Sequence, residues 1–264
     1  MPIRKALLMN GKKNDPKLGG KTVLITGASK GLGRAMALAL AQAGAAIALV
    51  SRDREKLESV AAEIREAGAE AHVFAADVAK EEDVQRIEKE ISAAVGKIQI
   101  LINNAGINIR KKITDFTLEE WNRVQDTNVT SVFLMCRAFV PHMRGGGYGR
   151  ILNMTSIMSH VSMPERAAYS SSKTALLGIT RALALELAPD GITVNGISPG
   201  PFGTEMNTAL MQNPEMNQLF VSKIPLGRWG KVEEIGQLAV YLCSEDAGFI
   251  TGTDVLIDGG WCTQ

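Results

Sequence analysis

Seven short runs of the chain are apolar at nearly every position: TVLIT (22–26), AIALV (46–50), AHVFA (71–75), IQILI (98–102), RILNMT (150–155), ITVNGIS (192–198) and DVLID (254–258). A strand with one wet face would alternate; a continuous run suits a strand covered on both faces. Between these runs apolar residues recur three and four apart, predicting helices over about 31–43, 53–67, 80–95, 117–143, 168–188 and 231–243. DREKLESVAAEIREAG shows the pattern in full, with an aspartate to start it and a glycine to stop it. Strand and helix alternate from end to end, which predicts an α/β fold: a doubly wound parallel sheet of about seven strands flanked by helices. No linker breaks the alternation, so residues 18–264 read as a single domain and residues 1–17 as a loosely ordered arm.

Composition narrows the partners. With 29 Lys+Arg against 28 Asp+Glu the net charge is +1, so neither a nucleic-acid surface nor an acidic tail is expected. The longest nearly apolar run, AMALALAQAGAAIALV (35–50), is too short for a membrane span and is broken by Ala-Gly. The apolar ALLM of the basic N-terminus is too short for a signal-peptide core. Cys136, Cys243 and Cys262 form no CxxC pair, which points to reduced thiols and a cytoplasmic location. Of His72, His142 and His160, no two stand at metal-ligand spacing, so no metal is expected.

The first chemistry lies in TGASKGLGRAMALAL, where Gly27, Gly31 and Gly33 follow a strand and open a helix. Glycines there let the backbone turn tightly against a pyrophosphate, which the free N–H groups of the new helix attract. The spacing is GxxxGxG rather than GxGxxG, and Arg34-Ala35 after the last glycine disfavours an ATP or GTP loop. A Rossmann-type dinucleotide site is the reading, with Ser29, Lys30 and Leu32 in the same turn. At the end of the second strand Ser51 and Arg52 stand where an acidic residue would hold a ribose hydroxyl. Arg52 and Lys30 therefore point to NADP(H), with NAD(H) possible; the alternative is two solvated surface charges. Asp53 reads as a helix cap. Asp77, beside Val78, suits either an adenine amino group or a helix-entry turn. In NNAG (103–106), Asn104, Ala105 and Gly106 would let the cofactor lie close to the backbone, while Asn103 ties loops together.

Tyr169 and Lys173 stand four residues apart near the start of an otherwise apolar helix, and so share a face. A free phenol, with a pKa of about 10, is a poor base at pH 7. An ammonium one turn away would lower that value and let the tyrosine exchange a proton with an alcohol or ketone. Ser156, just past the fifth strand, could hold the substrate oxygen. Asn128, a polar residue in an apolar helix, could order a water beside Lys173 and relay protons, or be a satisfied core group. His160 falls near the proposed pocket and reads as a wall of it.

TGASKGLG, NNAG, Asn128 in NV, Ser156, YSSSK, SPGPFGTEM and DGG occur in this order, and over about 18–264 the chain resembles the short-chain dehydrogenase/reductase family. The resemblance implies a catalytic set of Asn128, Ser156, Tyr169 and Lys173, with Tyr169 as acid/base and Lys173 also bonding the nicotinamide ribose. It implies that PGPFGT (199–204) lies against the nicotinamide, with Pro199, Gly200 and Thr204 at that end. AGINIRKKITDF, SMPERAAYSSSK and IPLGRWG resemble gluconate 5-dehydrogenases and related sugar-acid oxidoreductases; the same core resembles 3-oxoacyl carrier-protein reductases. The expected reaction interconverts a secondary alcohol and a ketone of a small molecule such as gluconate/5-ketogluconate. Arg110, with Lys111 and Lys112, would meet a substrate carboxylate or form a solvated basic loop. Residues 203–224, with Met206, Met211 and Met216, interrupt the alternation and read as a substrate lid. Family members are commonly tetramers, sometimes dimers, and a homotetramer is expected. The rival of a different class is a dinucleotide-sensing protein without turnover.

Overall fold

The computed structural model describes residues 16–263. Its strands are β1 (Thr22–Thr26), β2 (Ala46–Ser51), β3 (Ala71–Ala75), β4 (Ile100–Asn103), β5 (Gly149–Met154), β6 (Ile192–Pro199) and β7 (Asp254–Ile257). They form one seven-stranded sheet in the order β3-β2-β1-β4-β5-β6-β7, every neighbouring pair parallel. Helices α1 (Gly31–Gln42), α2 (Arg54–Glu66), α3 (Glu81–Val95), α4 (Leu118–Gln125), α5 (Ser131–Met143), α6 (Ala167–Leu187), α7 (Thr208–Gln212), α8 (Pro214–Val221) and α9 (Val232–Cys243) follow the strands.

The apolar runs of the inner strands are buried on both faces, whereas edge strand β7 is only partly covered. Val23, Ile25, Ile47 and Leu49 pack with Leu40 of α1 and Ile235 of α9 on one side of the sheet. Leu24, Leu101 and Ile151 pack with Ile87 of α3, Phe139 of α5 and Leu176 of α6 on the other. The strand order reverses beside β1, whose neighbours are β2 and β4. In such sheets the loops beyond the carboxyl ends part there and leave a crevice.

Residues 117–143, expected as one helix, are divided. A π-helical turn, Asp126–Thr130, separates α4 from α5. Its wide turn shifts the helix face locally and buries Asn128 inside an otherwise apolar stretch. Of the expected arm, residues 1–15 lie outside the described residues. Lys17 pairs with Asp246 at 3.4 Å, and Leu18 is buried with its N–H bonded to Ala43 O at 2.9 Å.

Candidate active site

A cleft of about 500 Å³ opens over the carboxyl ends of the strands. The glycine turn forms one wall. Gly27 and Gly31 take φ of 64° and 55°, the left-handed region open to glycine. A Cβ at Gly33 would stand 2.3 Å from Gly27 O, so only glycine lets α1 start this close to β1. The opposite loop is fastened to this turn. Thr26 Oγ1 accepts from the N–H groups of Asn104 and Ala105, both at 3.0 Å, and Asn104 Nδ2 donates to Thr26 O at 2.9 Å. Asn103, expected to tie loops, instead ties adjacent strands: its Nδ2 donates to Asn153 Oδ1, its partner in register on β5, at 2.9 Å.

Every residue expected at a dinucleotide lines this cleft: Gly27, Ser29, Lys30, Gly31, Leu32, Gly33, Arg52, Asp77, Val78, Asn104, Ala105, Gly106, Tyr169, Lys173, Pro199, Gly200 and Thr204. Of the two alternatives for Asp77, the helix-entry turn is present. Asp77 faces the cleft while Oδ1 accepts from Ala79 N at 3.2 Å, closing that turn. At the β2 end a third cation joins Lys30 and Arg52. Lys56, one turn into α2, also lines the cleft. Asp53 caps α2 by accepting from Lys56 N at 3.1 Å and pairs with Lys56 Nζ at 2.5 Å. These bonds hold the Asp53 carboxyl below its usual value, so it stays ionised and balances the Lys56 charge. The sequence signal for Lys56 was a cation three residues past the cap, on the same face.

At the far end stand Ser156, Tyr169 and Lys173. Lys173 is buried on α6, its Nζ 2.6 Å from Met154 O and 5.8 Å from the centroid of the Tyr169 ring. Burial lowers its pKa from 10.5 to about 8. Ser156 is buried at the end of β5. It caps the 3-10 turn Ile157–Ser159 by accepting from Met158 N at 3.1 Å, and its hydroxyl stands near enough to Tyr169 to act on the phenol's pKa.

The expected lowering of the Tyr169 pKa by Lys173 does not hold in this structure. Burial pushes the phenol up; the Ser156 hydroxyl and the Arg166 charge pull the other way, and Lys173 has no resolved part. The reason is geometric: the ammonium is directed at a backbone carbonyl, and burial penalises the phenolate more than a distant cation helps it.

Asn128 stands behind the cleft wall rather than in it. Oδ1 accepts from Ile107 N at 2.8 Å, and Nδ2 donates to Ile107 O and Ser172 Oγ, both at 2.9 Å. A Cβ on Gly106 would lie 3.3 Å from both Asn128 Oδ1 and Lys173 Nζ, so these two atoms flank the same peptide. Asn108 Oδ1, in the cleft-lining loop, is buried with no hydrogen-bond partner among the described residues.

Two expected substrate residues are not in the wall. His160 turns away: its Nε2 lies 2.6 Å from Asp254 Oδ2 on β7. Its sequence neighbours suggested a pocket wall, but a carboxylate from the other end of the chain holds the ring. Arg110 is exposed and outside the cleft lining. It lies close enough to Arg166 that its charge, after burial, lowers the Arg166 pKa. Lys111 is paired with Glu120 at 2.5 Å. Arg166, missed from sequence, follows Glu165, whose φ of 65° costs an L-residue about 1 kcal/mol and turns the chain into α6.

The cleft is chemically suited to a dinucleotide: a glycine turn at a helix start, Lys30 and Arg52 at one end with the Lys56–Asp53 pair beside them, and Ser156, Tyr169 and Lys173 at the other. The family model described as enoyl-(acyl carrier protein) reductase matches residues 27–262. A gluconate 5-dehydrogenase of Gluconobacter oxydans (strain 621H) is 36% identical over 92% of this chain and 95% of its own. This chain belongs to the short-chain dehydrogenase/reductase family. A 3-oxoacyl-(acyl-carrier-protein) reductase of Aquifex aeolicus (strain VF5) is 37% identical over 92% of this chain and 98% of its own. Among solved structures, a gluconate 5-dehydrogenase from Burkholderia cenocepacia J2315 in complex with NADP and tartrate superposes with a TM-score of 0.90 at 35% identity, covering 95% of this chain and 98% of that one. As a member of the family, the short-chain dehydrogenase described here is an oxidoreductase acting on CH–OH groups.

Proposed function

We propose that this enzyme uses NADP(H) to interconvert a secondary alcohol and a ketone on a small sugar acid, of the kind of gluconate/5-ketogluconate. The carrying observation is that Ser156, Tyr169 and Lys173 meet at one end of a cleft whose other end gathers Lys30, Arg52 and Lys56. When bound, the nicotinamide dinucleotide supplies the hydride carrier. The chain's own groups do the rest. Ser156 Oγ holds the substrate oxygen, and the Tyr169 hydroxyl gives a proton to it in reduction and takes one in oxidation. Lys173 holds the nicotinamide ribose. Asn128 Oδ1 retains a lone pair for a water beside Lys173, which returns the proton to the phenol. Residues 203–224 act as the lid: Thr204, Glu205 and Asn207 edge the cleft next to Phe202, and Phe220 stacks on Trp229 with centroids 5.8 Å apart.

Lys30 and Arg52 would meet the 2′-phosphate of NADP(H). Arg52→Asp should lower the NADP/NAD ratio of kcat/KM by about 10–100-fold, since a charge-assisted bond is lost and a repulsion introduced. Steady-state rates with both cofactors measure it, and an unchanged ratio would remove Arg52 from phosphate recognition.

A sugar acid is favoured because Arg166 stands near Tyr169 and Arg110 near Arg166, two guanidinium groups whose repulsion a carboxylate would relieve. Arg110→Ala should raise KM for gluconate about tenfold and leave a neutral ketone within about twofold. Equal losses on both substrates would make the loop a plain surface feature.

The second reading, 3-oxoacyl thioester reduction, rests on the Aquifex relative. Assaying sugar acids and a 3-oxoacyl thioester side by side, with both cofactors, decides between them; no dinucleotide consumption with any of them would favour the sensing protein. A cytoplasmic homotetramer (or homodimer) belongs to the same proposal. Phe133 on α5 and Leu185 on α6 are 52% and 82% exposed, and Leu256 on edge strand β7 is 42% exposed, apolar surface that further copies of the chain would cover.

A further inference from the structure

The turn that carries Ser156 is tied to the last strand of the sheet by a mostly buried carboxylate. Asp254 opens β7 and pairs in register with Gly196 of β6. A Cβ on Gly196 would lie 2.1 Å from Asp254 Oδ1, so the missing side chain is what lets the carboxylate reach across β6 to the end of β5. There Oδ1 accepts from Thr155 Oγ1 at 2.5 Å, and Oδ2 lies 2.6 Å from both Ser198 Oγ and His160 Nε2. The Thr155 and Ser198 hydroxyls are 2.9 Å apart, and Ser198 Oγ stands 3.0 Å from Ser156 O.

Proton bookkeeping makes the cluster directional. Thr155, Ser198 and His160 offer one proton each toward the group. An ionised Asp254 accepts from Thr155 on one oxygen and from His160 on the other. Ser198 then has its single proton to share between Asp254 and the Ser156 carbonyl. The imidazole must carry a hydrogen on Nε2, which both its cationic form and one neutral tautomer do.

The cluster grips both ends of the segment 154–160. Thr155 and Ser198 hold its start, beside the Met154 carbonyl that receives Lys173; His160 holds its end, just past the turn that Ser156 caps. Thr155 and Ser156 line the cleft, whereas Asp254 and His160 do not, so the pair acts on the reaction through the turn and not by touching substrate. We infer that the Asp254–His160 pair is a positioning device. It latches the Ser156 turn to β7 so that Ser156 Oγ stays beside Tyr169 and Met154 O stays on Lys173. This rests on the reading of Ser156 as the group that holds the substrate oxygen.

The test compares His160→Ala, His160→Gln, Asp254→Asn and Ser156→Ala, each assayed for kcat, substrate KM and NADPH affinity. His160 is at the surface and Gln retains an N–H donor for the carboxylate. His160→Ala and Asp254→Asn should lower kcat by about 3–30-fold, a loss set by misplacing the serine by a fraction of an ångström. Substrate KM and NADPH affinity should stay within about twofold, and His160→Gln should keep at least about half of the original kcat. A kcat for His160→Ala within about twofold of the parent overturns the inference. A rise in KM instead of a fall in kcat overturns it too, because the imidazole would then be meeting substrate. Equal losses in His160→Ala and His160→Gln likewise overturn it. If Asp254→Asn does not fold, the His160 pair still decides. Ser156→Ala separates the two levels: turnover retained there refutes the role of Ser156 itself, whereas its loss beside unaffected His160 variants refutes only the latch.

Discussion

Tyr169→Phe lowers kcat by about a thousandfold or more and leaves the NADPH dissociation constant within about twofold. The substitution removes one oxygen, the atom that gives and takes the proton, and keeps the ring that packs in the cleft wall. The pH dependence follows from the raised phenol. Burial favours the neutral form, so at pH 7 the enzyme already holds the acid that ketone reduction needs. Reduction should therefore be level around neutrality and fall on the alkaline side. Alcohol oxidation needs the phenolate, the less populated form, and should climb with pH over the same range. Rates in the two directions, measured from pH 6 to 10, check the sign. Retained turnover in the phenylalanine variant, or an oxidation rate that falls as pH rises, would take the acid/base role away from Tyr169.

Lys173→Met should lower kcat by about a hundredfold or more, since the group proposed to hold the ribose beside Tyr169 is lost while the length of the side chain is kept. It should also change how stability depends on pH. The buried ammonium has a pKa of about 8 against 10.5 for the free side chain. Between these values the unfolded chain binds a proton that the folded chain has released. Stability of the ligand-free protein therefore rises with pH across that window, by up to about 3 kcal/mol from this one group. The methionine variant has nothing to titrate there. Urea unfolding at pH 7 and pH 10 should show the parent gaining on the variant as pH rises. Parallel curves would mean that the ammonium is not buried in the ligand-free cleft.

These effects could not be read from the spacing that first drew attention to the pair. That Tyr169 and Lys173 share a helix face follows from four residues of separation. Where the ammonium points does not: Met154 O, its partner, belongs to a strand 19 residues earlier. The phenol was expected to be lowered by its neighbour and is instead raised by burial, a quantity that no local pattern contains. His160 shows the same limit. Its place four residues after Ser156 suggested a pocket wall, yet its partner Asp254 is 94 residues away. Arg166 and Lys56 were legible in principle, one at the entrance to α6 and the other three residues past a cap, but each gained meaning only from the charges beside it.

The sequence by itself determined the seven strands, the parallel doubly wound sheet and the residues that line the cleft over the strand ends. Strands buried on both faces are apolar throughout, and a helix beginning on glycines declares itself locally. The tertiary structure alone decided the rest: the π-turn that seats Asn128 against Ile107, the direction of the Tyr169 and Lys173 shifts, and the carboxylate that crosses a glycine gap to reach the Ser156 turn. Each of these depends on which distant backbone or charge comes to lie beside a side chain, and on how much water that meeting excludes.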